Sequence, residues 1–133
     1  MPLARERGVR LAVEQSVKQL PTGLRRLELF SALTFREVRE SIGGMVRDGS
    51  LAEAQPVLLD LRDVRFLPTT PEAEALADEL SSSDALGRHA VALVVQPGAQ
   101  YGVARMVCTL AELRGGRVKA FTDDRAAVDW LMG

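Results

Sequence analysis

Two kinds of hydrophobic run organise the strands of this chain. Val57–Leu61 and Ala90–Val95 are short and apolar on both alternate sets, with Asp60 the one exception. Such runs suit strands covered on both faces, as in a parallel sheet with helices on either side. Two earlier runs alternate instead. Val9, Leu11 and Val13 oppose Arg10, Ala12 and Glu14; Leu27, Leu29 and Ser31 oppose Arg26, Glu28 and Phe30. These read as half-buried strands in an outer position of the sheet. Pro21-Thr22-Gly23 marks a turn between them, so they are expected to pair as an antiparallel hairpin with a long connection. Arg117–Phe121 is a further short strand.

Helical spacing fills the intervals. Thr34 and Glu37 have capping-box spacing, and Phe35, Val38, Ile42, Met45 and Val46 form a stripe that ends at Asp48-Gly49. Thr70 is expected as the N-cap of a second helix, with Pro71 at its first helical position and Glu72 against its positive end. Ala73, Leu76, Ala77 and Leu80 then recur at helical spacing. A third helix, from about Gln100 to Leu113, is expected to bury Val103, Met106, Val107 and Leu110 before Gly115-Gly116 ends it. Thr122-Asp123-Asp124 caps a last helix with Ala127, Trp130 and Leu131 inward. The order β-β-α-β-α-β-α-β-α predicts an α/β fold: a mixed, mainly parallel sheet with helices packed on it.

Composition narrows the function classes. The 133 residues fit one domain, 1–133, with 1–8 polar and loose. Seventeen basic residues against eighteen acidic ones leave a net charge of −1. That balance gives no footprint for nucleic acid and no attraction to an anionic membrane. No apolar run approaches the roughly 20 residues that span a bilayer. The start carries no hydrophobic signal region, and Cys108 is the single cysteine, so a cytoplasmic protein is expected. Neither metal-ligand spacing, a Gly-rich phosphate loop nor a nucleophile elbow occurs; no cofactor, no metal and no catalytic residue are expected.

Four stretches carry a family resemblance: Leu33-Thr34 entering the first helix, Leu58–Leu67 (LLDLRDVRFL), Tyr101–Met106 (YGVARM), and Val118–Leu131 (VKAFTDDRAAVDWL). In this order they resemble the STAS-like domains shared by sulfate transporters and anti-sigma factor antagonists, closest to the SpoIIAA-like branch of small bacterial proteins. The resemblance covers about Val9 to Leu131. It implies a cytoplasmic regulatory module that binds a protein partner. It also points to lipid-pocket relatives of the CRAL-TRIO type. In the antagonist branch, a loop serine within Asp-Ser-Ser/Thr-Gly accepts a phosphate that switches partner binding. Here Pro68 takes the aspartate position, Thr69 and Thr70 the hydroxyl positions, and Pro71 the glycine position.

The residues themselves offer a short set of candidates. A phosphate on Thr69 or Thr70 would lie beside a helix N-terminus, which favours anions; the plainer reading of Thr70 is a cap, with Thr69 its exposed neighbour. Asp60, Arg62, Asp63 and Arg65 sit near the carboxyl end of an interior strand, where open α/β sheets bind ligands; more often such residues form local ion pairs and loop hydrogen bonds. Asp60, if buried, needs a donor. Gln96, Gln100 and Tyr101, with Arg105 one turn on, could line a shallow polar pocket beside the 62–70 loop, or simply form a solvated connection. His89 has no ligand neighbours, and Cys108 and Trp130 read as core. The leading expectation is thus a non-enzymatic protein-binding module. A small-molecule or lipid carrier, with a pocket under the last two helices lined by Met106, Phe121, Trp130 and Met132, is the alternative. An enzyme using Asp60 or Asp63 with Tyr101 ranks third. The free edges of the outer strands invite pairing, so a homodimer through them is a further expectation.

Overall fold

A computed structural model describes residues 14–19, 23–30, 34–49, 51–82 and 86–133. The proposed strand residues Val9, Leu11 and Val13, the loose 1–8 segment, Pro21, Thr22, Ser31 and Leu33 lie outside the described residues. Among the described residues five strands form one sheet: β1 (Glu14–Gln19), β2 (Arg25–Phe30), β3 (Val57–Asp63), β4 (Ala90–Val94) and β5 (Arg117–Phe121). They lie side by side in chain order; β1 runs antiparallel to β2, and β2 through β5 are parallel. Four helices, again among the described residues, accompany them: α1 (Phe35–Arg47), α2 (Thr70–Ser81), α3 (Ala99–Leu113) and α4 (Asp124–Met132).

The sheet has two covered faces. Leu27, Leu29, Val57, Leu59, Leu61, Val91, Leu93 and Val95 point to one face and pack against α1, α2 and α3. Leu58, Ala92 and Val94 point to the other, where Ala127 of α4 meets them. This is the two-residue alternation of a pleated strand. It explains why β3 and β4 read as continuously apolar. Four parallel strands in sequential order, with all three connecting helices on one face, are what a single crossover hand produces.

Four sequence expectations shift. The strand signal at Val9–Val13 is followed by a described strand at 14–19, in the stretch expected to be part of a long connection. The hairpin connection is therefore short, residues 20–24, and the register runs Glu14↔Phe30 to Gln19↔Arg25. Glu-Gln-Ser-Val-Lys-Gln has almost no apolar content, so only pairing with β2 marks it as strand. Thr69, not Thr70, is the N-cap of α2. Its hydroxyl accepts from the Glu72 N–H at 3.3 Å, and the Glu72 carboxylate accepts from the Thr69 N–H at 2.9 Å, so Pro71 is the second helical residue. In α3 the buried residues are Ala104, Val107, Cys108 and Ala111, while Val103 and Leu110 are half-buried and Met106 is exposed. Two helical stripes overlap there, and the smaller side chains allow the close approach to the sheet. Trp130 likewise sits half-buried at the rim, its ring centroid 5.8 Å from that of Phe121. The Thr34–Glu37 capping box, by contrast, forms as its spacing requires.

Helix α2 returns to β4 through a tight contact at Gly87. A Cβ on Gly87 would overlap the Ser81 carbonyl oxygen and lie 2.6 Å from the Ser82 carbonyl carbon, both backbone atoms with no room to give. Gly87→Ala should therefore cost about 2 kcal/mol, seen as a lower urea midpoint with an unchanged slope.

Candidate functional site

The parallel pairing of β3 and β4, from Val57↔Val91 to Asp60↔Val94, brings their trailing loops together. Two glutamines tie the loops. Gln96 donates from Nε2 to the Arg62 carbonyl at 3.1 Å, and Gln100 donates from Nε2 to the Leu61 carbonyl at 3.0 Å. The Gln100 Oε1 in turn accepts from the Gln96 N–H, which joins the start of α3 to the end of β4. Gln96 and Gln100 thus clamp the end of β3, and both also line a shallow surface pocket with Val64, Arg65, Phe66 and Leu67. Tyr101 is half-buried against the core, with the Arg105 guanidinium 6.0 Å from its ring centre.

Beneath the loop lies an apolar cavity of about 50 Å³. Leu61, Val64, Phe66, Leu76, Val103 and Val107 line it, and Gln100 is the one polar side chain among its described lining residues. It sits among α1, α2 and α3. The carrier expectation placed a pocket under the last two helices; Met106 and Met132 are exposed instead, and Phe121 and Trp130 pack on the opposite face of the sheet. In the same loop Leu67 is 51% exposed. Arg65 and Asp63 pair with each other at 3.2 Å beside it. Thr69 is engaged in its capping box, and Thr70 stands exposed in the first turn of α2.

Asp60 and Arg62 turn to the other face. Pleat alternation sends them toward α4, away from Gln100 and Tyr101. There Asp60 is buried and accepts from Arg62 Nη2 at 2.7 Å, Arg62 Nε at 3.0 Å and Arg26 Nη2 at 2.9 Å. Arg26 is a hub: it also donates from Nε to Glu28 at 2.6 Å and from Nη1 to Asp124, in the first turn of α4, at 2.7 Å. Burial alone would raise the Asp60 pKa; hydrogen bonds from Arg62 and the charges of Arg62 and Arg26 overcome it and hold the carboxyl below its ordinary value. Burial likewise opposes the charge on Arg26, but its bonds to Asp124 and Glu28 raise its pKa. Every oxygen of Asp60 is occupied, so it is a poor base. The hub residues Arg26, Glu28 and Asp124 were not singled out from sequence. The available signal was Arg26 and Glu28 on one side of an alternating strand, beside a strand with a lone aspartate.

Two other candidates remain isolated. His89 is buried, its Nδ1 2.7 Å from the Gln55 carbonyl oxygen, at the opposite end of the sheet. Burial, with the nearby Glu112 charge, pushes the Cys108 thiol up to about 12. Among the described residues, no group of three or more His, Cys, Asp or Glu is placed to hold a metal ion, and no helix is long and apolar enough to cross a membrane.

Comparison with known proteins identifies the fold. The chain is similar to an uncharacterised protein of the DUF3478 family, with a SpoIIAA-like fold, from Shewanella loihica PV-4. The two superpose with a TM-score of 0.58 at 17% identity, over 90% of this chain and 94% of that one. No protein-family profile and no curated protein matches the chain.

The ionic cluster predicts a pH dependence. Asp60 binds its proton more weakly folded than unfolded. Its contribution is fully present above the ordinary aspartate value of 3.8 and is lost as pH falls from there through the lower folded value. Asp60→Asn should cost about 3 kcal/mol at neutral pH, because it leaves Arg26 and Arg62 short of a buried partner. Urea titrations at neutral pH and near about pH 3 should show the variant losing less stability on acidification than the wild type.

Proposed function

With a SpoIIAA-like α/β fold as premise, we propose that this chain is a non-enzymatic regulatory module, acting in the cytoplasm, that binds a protein partner through the β3–α2 loop. The observation that carries the reading is Leu67. It is a large apolar side chain left half-exposed on the short segment between the end of β3, which Gln96 and Gln100 clamp, and the Thr69 cap of α2. A pinned apolar knob loses little freedom on docking, which favours association. Asp63 and Arg65 give its rim both signs of charge, which suits a polar border around a hydrophobic anchor. The lack of catalysis in this reading is supported by how the candidate groups are engaged: Asp60 is saturated by arginines, the Cys108 thiol is held protonated, and Tyr101 lies across the sheet from Asp60. Thr70 is the hydroxyl that could take a phosphate without breaking the Thr69 cap, which would add charge at the border of the same surface.

The cavity favours a second reading, a carrier of a small apolar molecule. At about 50 Å³ it accepts only a few heavy atoms, so a lipid tail would need α1 or the loop to move.

A photo-crosslinking residue at position 67, in cells making the protein, should capture one partner that reassociates with the purified wild type. Leu67→Asp should then weaken the reconstituted pair about tenfold or more, the scale expected for a central apolar anchor. An unchanged affinity would move the binding surface elsewhere. Native mass spectrometry of the purified chain, with a small apolar adduct retained, would favour the carrier reading.

A further inference from the structure

The outward side of α3 carries a pattern that the core does not use. Ala99, Gly102, Met106, Thr109 and Leu113 recur at alternating spacings of three and four, and all five are exposed. Met106 is 38% exposed and Leu113 79%. A 3-4-3-4 spacing is the seam of a coiled coil. Along this seam large and small residues alternate: Gly102, Met106, Thr109, Leu113. Space around Gly102 is open: beyond its chain neighbours and the adjoining backbone of α3, nothing lies within 4 Å of where a Cβ would stand.

We propose that α3 pairs antiparallel with α3 of a second copy of this chain. With the twofold axis between Met106 and Thr109, antiparallel pairing sets the four positions Gly102, Met106, Thr109 and Leu113 of one helix against the same four of the other in reverse order. Leu113 then faces Gly102 of the second copy, and Met106 faces Thr109, each large side chain over a small one. The twofold axis repeats both contacts, so the interface is isologous. Parallel pairing would stack Met106 on Met106 and Leu113 on Leu113, while leaving Gly102 opposite Gly102 as a void. Charge selects the same arrangement. Arg105 and Glu112 are exposed, seven residues apart, and flank the seam on one side. In the antiparallel pair Arg105 of each copy borders Glu112 of the other, giving two opposite-charge contacts; its present place over the Tyr101 ring leaves it free to turn outward. One helix from each copy makes a small interface, so the dimer is weak and concentration-dependent. This surface is separate from the β3–α2 loop and from the edges of the sheet.

Sedimentation of the full chain over a range of concentrations tests the proposal. The wild type should pass from monomer to dimer as concentration rises. Gly102→Leu fills the hole opposite Leu113, sits in open space within the folded chain, and should weaken the dimer. R105E or E112R creates two like-charge contacts per dimer, and each should raise the dissociation constant about tenfold. The double variant R105E/E112R should restore association to near the wild-type value, a rescue that a purely structural effect would not produce. Circular dichroism of each variant should match the wild type. A chain that stays monomeric at every concentration overturns the proposal, and so does a dimer indifferent to Gly102→Leu and to the charge exchange. Leu67→Asp should leave dimerisation unchanged, so a failed partner assay and a failed dimer assay are distinguishable.

Discussion

Removing water from both faces of β3 and β4 is the constraint on which the rest of this structure depends. Leu58, Leu59, Val91, Leu93 and Val94 are buried almost completely, on whichever side they point. A pair of strands in that state cannot be an exposed hairpin; it needs cover on each side, which parallel strands obtain from their crossover helices. Helices α1, α2 and α3 cover one face and α4 covers part of the other. Parallel direction then sends both trailing loops to the same end. The clamps from Gln96 and Gln100 follow from that proximity, because Leu61 and Arg62 lie past the last β3–β4 pair, Asp60↔Val94, where β4 no longer supplies donors.

Asp60 is the exception inside that dry pair, and the structure arranges charge around it. Placing a carboxylate there costs desolvation, which Arg26 and Arg62 offset with hydrogen bonds as well as charge. Replacing such a group by an apolar residue of the same size is often neutral, so net stability is a weak reason for it. Position is a better one. Arg26 joins β2, β3 and the first turn of α4 in one bonded set. Apolar contacts from Ala127, Leu131 and Trp130 fix how deep α4 sits; the bond to Asp124 fixes where its N-terminus lies along the sheet. The same geometry takes Asp60 and Arg62 out of the loop surface.

What is left for function lies where side chains are large, apolar and unshared. Leu67 stands on a loop held at both ends, and the seam from Gly102 to Leu113 stands on the outer side of a helix whose inner side is already packed. The two surfaces face different contacts. The first presents one anchor with a charged border, suited to a partner with a recess. The second presents alternating volumes that match themselves when reversed. The likeness to the Shewanella loihica protein reaches the fold only, and neither surface is inferred from it.

Much of the architecture was legible along the chain. Continuous apolar runs marked β3 and β4, alternation marked β2, and Thr34 with Glu37 marked the start of α1, because each signal is local and has one physical cause. The threonine at which α2 begins was legible too, since Thr69 and Glu72 have capping-box spacing, although Pro71 drew attention to Thr70. β1 was not legible, because a polar edge strand is defined by its neighbour's backbone and not by its own side chains. Nor was the buried face of α3. Two apolar stripes at the same period are equivalent until the depth of the sheet admits Ala104, Cys108 and Ala111 and leaves Met106 and Leu113 outside. The sequence by itself determined which segments are dry and how they alternate, since hydrophobic periodicity is a property of neighbouring residues. Only the tertiary structure decided that Asp60 and Arg62 leave the loop surface to join Arg26 and Asp124, because residues 34 and 98 positions apart meet only when the sheet and α4 bring them together.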